Sequence, residues 1–174
     1  MRKIIITTEY HGKSNNSFHL DLTQFFDPNL NYKKGKVPLL KIEEEIYKQI
    51  SDYKASGFKF THIDSYHHTH LREELLPLII KIAKPEGLKT IRFFKAFYET
   101  NELYQRMKVF LDSNGLKTTD YFLESLNFED MKKIPDGSTV ELMINIDERK
   151  MLCDPKTKDF FKKEHYKFIN FSEI

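Results

Sequence analysis

The sequence predicts an α/β fold built on parallel strands, and three observations point to it. Short apolar or β-rich runs alternate with amphipathic stretches at helical spacing along the 174 residues. Residues able to do chemistry fall just after the apolar runs, where the sites of α/β sheets and barrels collect. With 40% hydrophobic and 14% aromatic residues and only six glycines and six prolines, the composition excludes a disordered or collagen-like chain. The length suits a single domain, residues 1–174, that buries roughly 70% of its unfolded surface. It is short for a complete (β/α) barrel.

Ile4 to Thr8 reads as a buried strand. Phe18 to Thr23 reads as a second, with Phe18, Leu20 and Leu22 on one face and His19, Asp21 and Thr23 on the other. Only seven residues, rich in turn formers, separate Tyr10 from Phe18, fewer than the dozen that a parallel crossover needs, so a hairpin or tight return is expected there. Ile42, Ile46, Ile50 and Tyr53 share a helical face; Glu43 to Glu45 stand in its first turn, where the dipole favours them, and Gly57 ends it. Phe58 to Ser65 is the third strand. A helix starts near Pro77 and runs to Ala83 before Pro85 interrupts it.

Lys89 to Phe94 is strand-like, Asn101 to Ser113 helical with Gly115 after it, and Asn127 caps a short helix to Lys133. Thr139 to Ile146 alternates cleanly, Val140, Leu142, Ile144 and Ile146 against Glu141, Met143 and Asn145. A helix around Lys158 to Lys163 and a strand from Tyr166 to Phe171 close the pattern.

Lys and Arg number 28 against 26 Asp and Glu, a net charge of +2. That balance argues against nucleic acid or a membrane surface as the partner, since both call for a basic excess. No stretch approaches the ~20 apolar residues of a membrane span, and the apolar run after Met1-Arg2-Lys3 is too short for a signal peptide. Cys153 has no second cysteine to pair with, as in a reduced cytoplasmic protein.

Histidine usage is the unusual feature: His62, His67, His68 and His70 fall within nine residues. Neutral imidazoles beside a carboxylate suit zinc or another first-row divalent ion; a histidine-rich surface loop is the plainer alternative. His62 reads as a packing residue, and Asp64 as a group that orients a neighbouring histidine. Arg92, inside a strand, needs a buried partner in Asp64 or Glu141, or else contacts substrate. Phe93, Phe94, Phe97 and Tyr98 read as core packing ahead of a sugar-stacking platform.

His62-Ile63-Asp64-Ser65-Tyr66-His67-His68-Thr69-His70 resembles the His-(Ile/Leu)-Asp-Ser-His-His-His-x-His signature of the YdjC-like (ChbG/HpnK family) carbohydrate deacetylases. Other stretches agree in order. Phe18-His19-Leu20-Asp21-Leu22-Thr23 is similar to the family's Gly-x-His-Leu-Asn-Leu-Thr, and Glu45-Ile46-Tyr47-Lys48-Gln49-Ile50 to the helix before the signature. Ile91-Arg92, Thr118-Thr119-Asp120-Tyr121-Phe122 and Pro135 to Met143 resemble the stretches that follow.

The resemblance implies an irregular (β/α) barrel, here incomplete, and a metal-dependent hydrolase that removes acetyl groups from N-acetylated sugars. It implies one divalent metal ion, of the zinc or magnesium class, and a small carbohydrate substrate. Carried onto this chain, Glu9 becomes the catalytic base, His19, His68 and His67 the metal ligands, and Asp64, His70, Arg92 and Asn145 the substrate-binding or supporting residues. Three positions depart from the pattern: Tyr10 stands for an aspartate, Tyr66 for a histidine and Asn145 for a histidine. A catalytically inactive relative that binds a carbohydrate or a protein is the alternative.

Overall fold

The computed structural model describes residues 1–8, 18–33, 35, 37–57, 62–145 and 148–174. In chain order the elements are β1 (Arg2–Thr8), β2 (Phe18–Leu20), α1 (Leu39–Ala55), β3 (His62–Ser65), a 3-10 turn (Tyr66–Leu71), α2 (Leu76–Ala83) and β4 (Thr90–Ile91). There follow a short 3-10 turn (Lys95–Phe97), α3 (Asn101–Ser113), β5 (Tyr121–Leu123), α4 (Phe128–Lys132), β6 (Thr139–Ile144), α5 (Arg149–Cys153), α6 (Pro155–Lys163) and β7 (Tyr166–Phe168). The contacts gather into two compact units, Gly12–Lys117 and Met1–His11 with Thr118–Ile174.

The unit Gly12–Lys117 holds a parallel sheet in the order β2-β3-β4. All four residues of β3 are buried; Ile63 belongs to the apolar core, whereas Asp64 on the other face meets His19 and Arg92. Ile42, Ile46, Ile50 and Tyr53 are the buried stripe of α1, and Leu76, Ile79, Ile80, Ile82 and Ala83 that of α2; both belong to one core with Leu20, Ile63 and Ile91. Fully burying each such branched side chain stabilises by about 1.5–3 kcal/mol. The Thr100 hydroxyl accepts from the Leu103 N–H and caps α3.

The other unit is a parallel sheet in the order β5-β6-β1-β7. Ile4 of β1 stands opposite Val140 of β6 and Phe168 of β7, and packs with Met131, Leu142, Phe161 and Tyr166. Asn127 caps α4 through the N–H groups of Glu129 and Asp130, as its sequence predicted.

Several expectations change. The expected hairpin or tight return between Tyr10 and Phe18 lies outside the described residues; β1 and β2 on either side of it lie in different sheets and their strand pairings are parallel. Helix α1 begins a turn earlier than predicted, after Pro38, which moves Glu43 to Glu45 out of its first turn. β2 stops at Leu20 and β7 at Phe168, short of the predicted Thr23 and Phe171, and of Lys89 to Phe94 just Thr90 and Ile91 are in register with β3, whereas β1 starts at Arg2, ahead of the predicted Ile4. Strands form two separate sheets, and no ladder among the described residues closes them into a barrel. Among those residues no helix is long and apolar enough to cross a membrane.

Candidate functional site

β2 and β3 run side by side with His19 opposite Asp64, and this register builds the site. The imidazole Nδ1 of His19 lies 2.9 Å from Oδ1 of Asp64, and the guanidinium of Arg92 lies 2.8 Å from Oδ2. Asp64 and Arg92 are 2% and 1% exposed, so this ion pair is enclosed by protein. Burial works to raise the pKa of Asp64, but the Arg92 charge and the His19 hydrogen bond outweigh it and hold the carboxyl well below the usual carboxylate range. An ionised carboxylate only accepts, so the hydrogen on the His19–Asp64 contact belongs to Nδ1. In a neutral His19 the lone pair is then on Nε2, a buried atom that meets no hydrogen-bond partner among the described residues.

The turn after β3 carries the remaining histidines. His67 and His68 both take the left-handed conformation, φ 49° and 56°. No glycine relieves it, and such a backbone costs roughly 1–2 kcal/mol per residue. The turn is anchored by Ser65. Its hydroxyl accepts from the His70 N–H at 2.9 Å and from the Thr69 hydroxyl at 3.0 Å, and it lies 2.7 Å from His70 Nδ1. His70 Nε2 lies 3.0 Å from the Arg92 carbonyl oxygen. A carbonyl only accepts, so Nε2 carries the hydrogen, and Nδ1 of the neutral ring accepts from the Ser65 hydroxyl.

Both nitrogens of His70 are thereby spent inside the protein, and burial pushes its pKa down to about 3. Of the two roles that the sequence left open to His70, this placement is the supporting one.

Burial, aided by the Arg92 charge, pushes His68 down to about 3, and burial pushes His62 down to about 4. Both rings are neutral at pH 7, the form in which imidazole gives a lone pair. The His68 ring meets Phe94 edge-on at 4.8 Å, and Tyr66, at the family's histidine position, meets the His19 ring edge-on at 5.7 Å.

The structure thus brings His19, Asp64, Arg92, His68 and His70 into one neighbourhood of a single unit. Asn145 belongs to the other unit; it is exposed and forms a reciprocal pair with Glu148, each backbone N–H donating to the other's side-chain oxygen at 3.0 and 2.9 Å. Glu9 lies outside the described residues. Sequence reasoning missed Ser65 as the anchor, although a serine directly before a histidine-rich turn was the available signal.

The donor set fits a divalent ion in part. His19, its Nδ1 held by a carboxylate and its Nε2 buried without a hydrogen bond, has the form of a metal-binding imidazole. Asp64, engaged through both oxygens, supports that imidazole and is not itself an open ligand. Among the described residues no three His, Cys, Asp or Glu side chains gather as a complete ligand group.

The chain is similar in sequence to several proteins named as deacetylases. A carbohydrate deacetylase of Brevibacillus brevis is 33% identical over 69 residues, 37% of this chain and 28% of that protein. One from Oceanobacillus iheyensis is 29% identical over 105 residues, 60% of this chain and 45% of the relative. A chitooligosaccharide deacetylase of Escherichia fergusonii is 27% identical over 107 residues, 61% and 41% of the two chains. The matched stretches cover less than half of each of these relatives.

Among solved structures, a putative cellobiose-phosphate cleavage protein of Enterococcus faecalis superposes with a TM-score of 0.64 at 19% identity, over 84% of this chain and 67% of that one. That likeness extends to the fold. The profile described as YdjC-like protein matches residues 11–163, most of the chain, and includes the whole His19–Asp64–Arg92 arrangement. The chain belongs to the YdjC-like protein family.

Proposed function

We propose that the chain is a carbohydrate deacetylase, a hydrolase that removes acetyl groups from N-acetylated sugars with the help of one divalent metal ion of the zinc or magnesium class. The observation that carries this reading is the buried line Arg92–Asp64–His19, which ends on an imidazole nitrogen with no hydrogen-bond partner among the described residues. A structural histidine would ordinarily spend both nitrogens, as His70 does. The relatives, named as carbohydrate and chitooligosaccharide deacetylases, support the substrate class.

When bound, a divalent ion supplies a Lewis acid for an amide carbonyl and lowers the pKa of a water. The chain's own residues do the rest. Arg92 keeps Asp64 ionised; Asp64 holds the His19 ring in one tautomer and one orientation. His19 would offer Nε2 to the ion, and the neutral His68 and its neighbour His67 would be the further donors. By its position in the family pattern Glu9 would serve as the base, whereas Asn145, which replaces the family's histidine, would be limited to hydrogen bonding. His70 braces the turn against Arg92.

The test is metal content by elemental analysis of the wild-type protein beside His19→Ala and His68→Ala, with acetate release from short N-acetylglucosamine oligomers in parallel. Near-stoichiometric metal in the wild type, lost in His19→Ala, together with chelator-sensitive acetate release, is expected. Equally little metal in all three proteins and no acetate release refute the proposal.

A further inference from the structure

A concavity in the unit Gly12–Lys117, lined by other residues than the histidine site, has a chemistry of its own. It is a cleft of about 410 Å³, the size range of small-molecule sites, and its lining includes the rings of Tyr32, Phe97 and Tyr98 together with Arg72, Glu74 and Glu99. Tyr98 is held rigidly, its hydroxyl donating to the Leu71 carbonyl at 3.0 Å and its ring against Phe97 at 5.2 Å. These rings give the cleft flat apolar walls of the kind that the C–H face of a sugar ring packs against.

The charge on those walls is one-sided. Among the described residues Arg72 is the one cation lining the cleft, and it is already engaged: Nε donates to Glu74 at 2.7 Å, another nitrogen donates to the Leu30 carbonyl, and the guanidinium lies over the rings of Phe26 and Tyr32 at 4.8 and 5.4 Å. The Arg72 charge is thus already offset by Glu74. On the other side stand three carboxylates, Glu73, Glu74 and Glu99. Glu73 pairs with Arg106 and Glu74 with Arg72, whereas Glu99 makes no ion pair among the described residues. A ligand here meets aromatic faces and an uncompensated carboxylate, the two elements that favour an organic cation over a neutral or anionic group.

The cleft also stands close to the histidine site within the same unit. The His68 ring touches Phe94 at 4.8 Å, and Phe94 touches Phe97, a wall of the cleft, at 6.2 Å.

We infer that this cleft binds an amino sugar in its cationic form: a hexosamine unit whose ammonium group is received by Glu99 and the aromatic rings and whose ring lies on Phe97. The choice of sugar rests on the deacetylase reading above, since loss of an acetyl group from an N-acetylated sugar leaves this amine. The cleft then holds a unit that has already been deacetylated, and the protein favours partly deacetylated chains over fully acetylated ones.

The experiment is calorimetric titration of the wild-type protein, Glu99→Gln and Phe97→Ala with glucosamine and with N-acetylglucosamine, at pH 6 and again well above the pKa of the amine. At pH 6 the wild type binds glucosamine about tenfold tighter than N-acetylglucosamine, the size of one well-placed cation contact of about 1.4 kcal/mol. Glu99→Gln loses that preference, Phe97→Ala weakens both sugars, and alkaline pH abolishes the preference in the wild type. Equal affinity of the wild type for the two sugars at pH 6, or a preference that survives Glu99→Gln, overturns the assignment. Acetate release from the same wild-type preparation keeps the two readings apart. Acetate release without a glucosamine preference refutes the cleft alone, and a glucosamine preference without acetate release refutes the deacetylase reading alone.

Discussion

Replacing Arg92 with methionine removes one charge of a buried pair and keeps much of the side chain's length. In the wild type the guanidinium and the Asp64 carboxylate are 2.8 Å apart with 1% and 3% of their side chains exposed, so water cannot take over when either is lost. Breaking such a pair from one side costs about 3–5 kcal/mol, most of it the cost of the charge left behind. Against a total stability of about 5–15 kcal/mol this is a large fraction. A loss of about 4 kcal/mol lowers the folding constant about a thousandfold.

Asp64→Asn, which leaves the arginine without this carboxylate, is expected to cost a similar amount. The double variant Arg92→Met/Asp64→Asn carries neither charge, and its cost is expected to fall to about 1–2 kcal/mol, so that the two single losses do not add. Urea unfolding followed by far-UV circular dichroism measures all four proteins. A single Arg92→Met cost under about 1 kcal/mol, or a double variant as unstable as the sum of the two singles, refutes the enclosed-pair reasoning.

Three further outcomes are expected. Ser65→Ala strands the His70 N–H, the His70 Nδ1 and the Thr69 hydroxyl together, and a loss of about 2–3 kcal/mol in the same urea assay is expected; a change under about 0.5 kcal/mol counts against Ser65 as the anchor. In chelator-treated protein, His70 and His62 have folded-state pKa values of about 3 and about 4, below the unfolded value of 6.5. The unfolded chain therefore takes up protons first, and stability is fully present above pH 6.5 and is lost as pH falls towards 4, by up to about 1.4 kcal/mol per pH unit for each ring. Urea midpoints at a series of pH values read this slope, and a flat profile between pH 6.5 and 4 contradicts it. His67→Gly relieves a left-handed residue at the cost of added chain freedom, a net gain of about 0.5–1 kcal/mol, or about 2 °C in Tm by calorimetry; a lower Tm contradicts the strain.

Much of this molecule was legible in its residues because the decisive groups sit on regular elements. Alternation on the second strand placed His19 opposite the polar side of the third, and a buried arginine such as Arg92 had few partners to choose from. Helix α3 and the cap at Asn127 followed from local chemistry alone. What stayed hidden depends on distant or unusual backbone geometry. Two adjacent left-handed histidines have no sequence signature, since glycine or asparagine normally marks that conformation. Nor can a short apolar run announce which strand it pairs with: β1 pairs with β6 and β7, more than a hundred residues away.

That pairing bears on how the protein is made. Lys3 lies opposite Thr139 and Lys167, so as the chain leaves the ribosome its first strand waits, without either neighbour, while more than a hundred residues follow. At about 5–20 residues per second the wait is on the order of ten seconds. The unit Gly12–Lys117 is continuous in sequence and is complete before β6 is translated, while Ile4-Ile5-Ile6 stands exposed as a sticky, β-prone segment. Arg2 and Lys3 stand immediately before that run, two charges in the gatekeeper position that disfavours association of such segments.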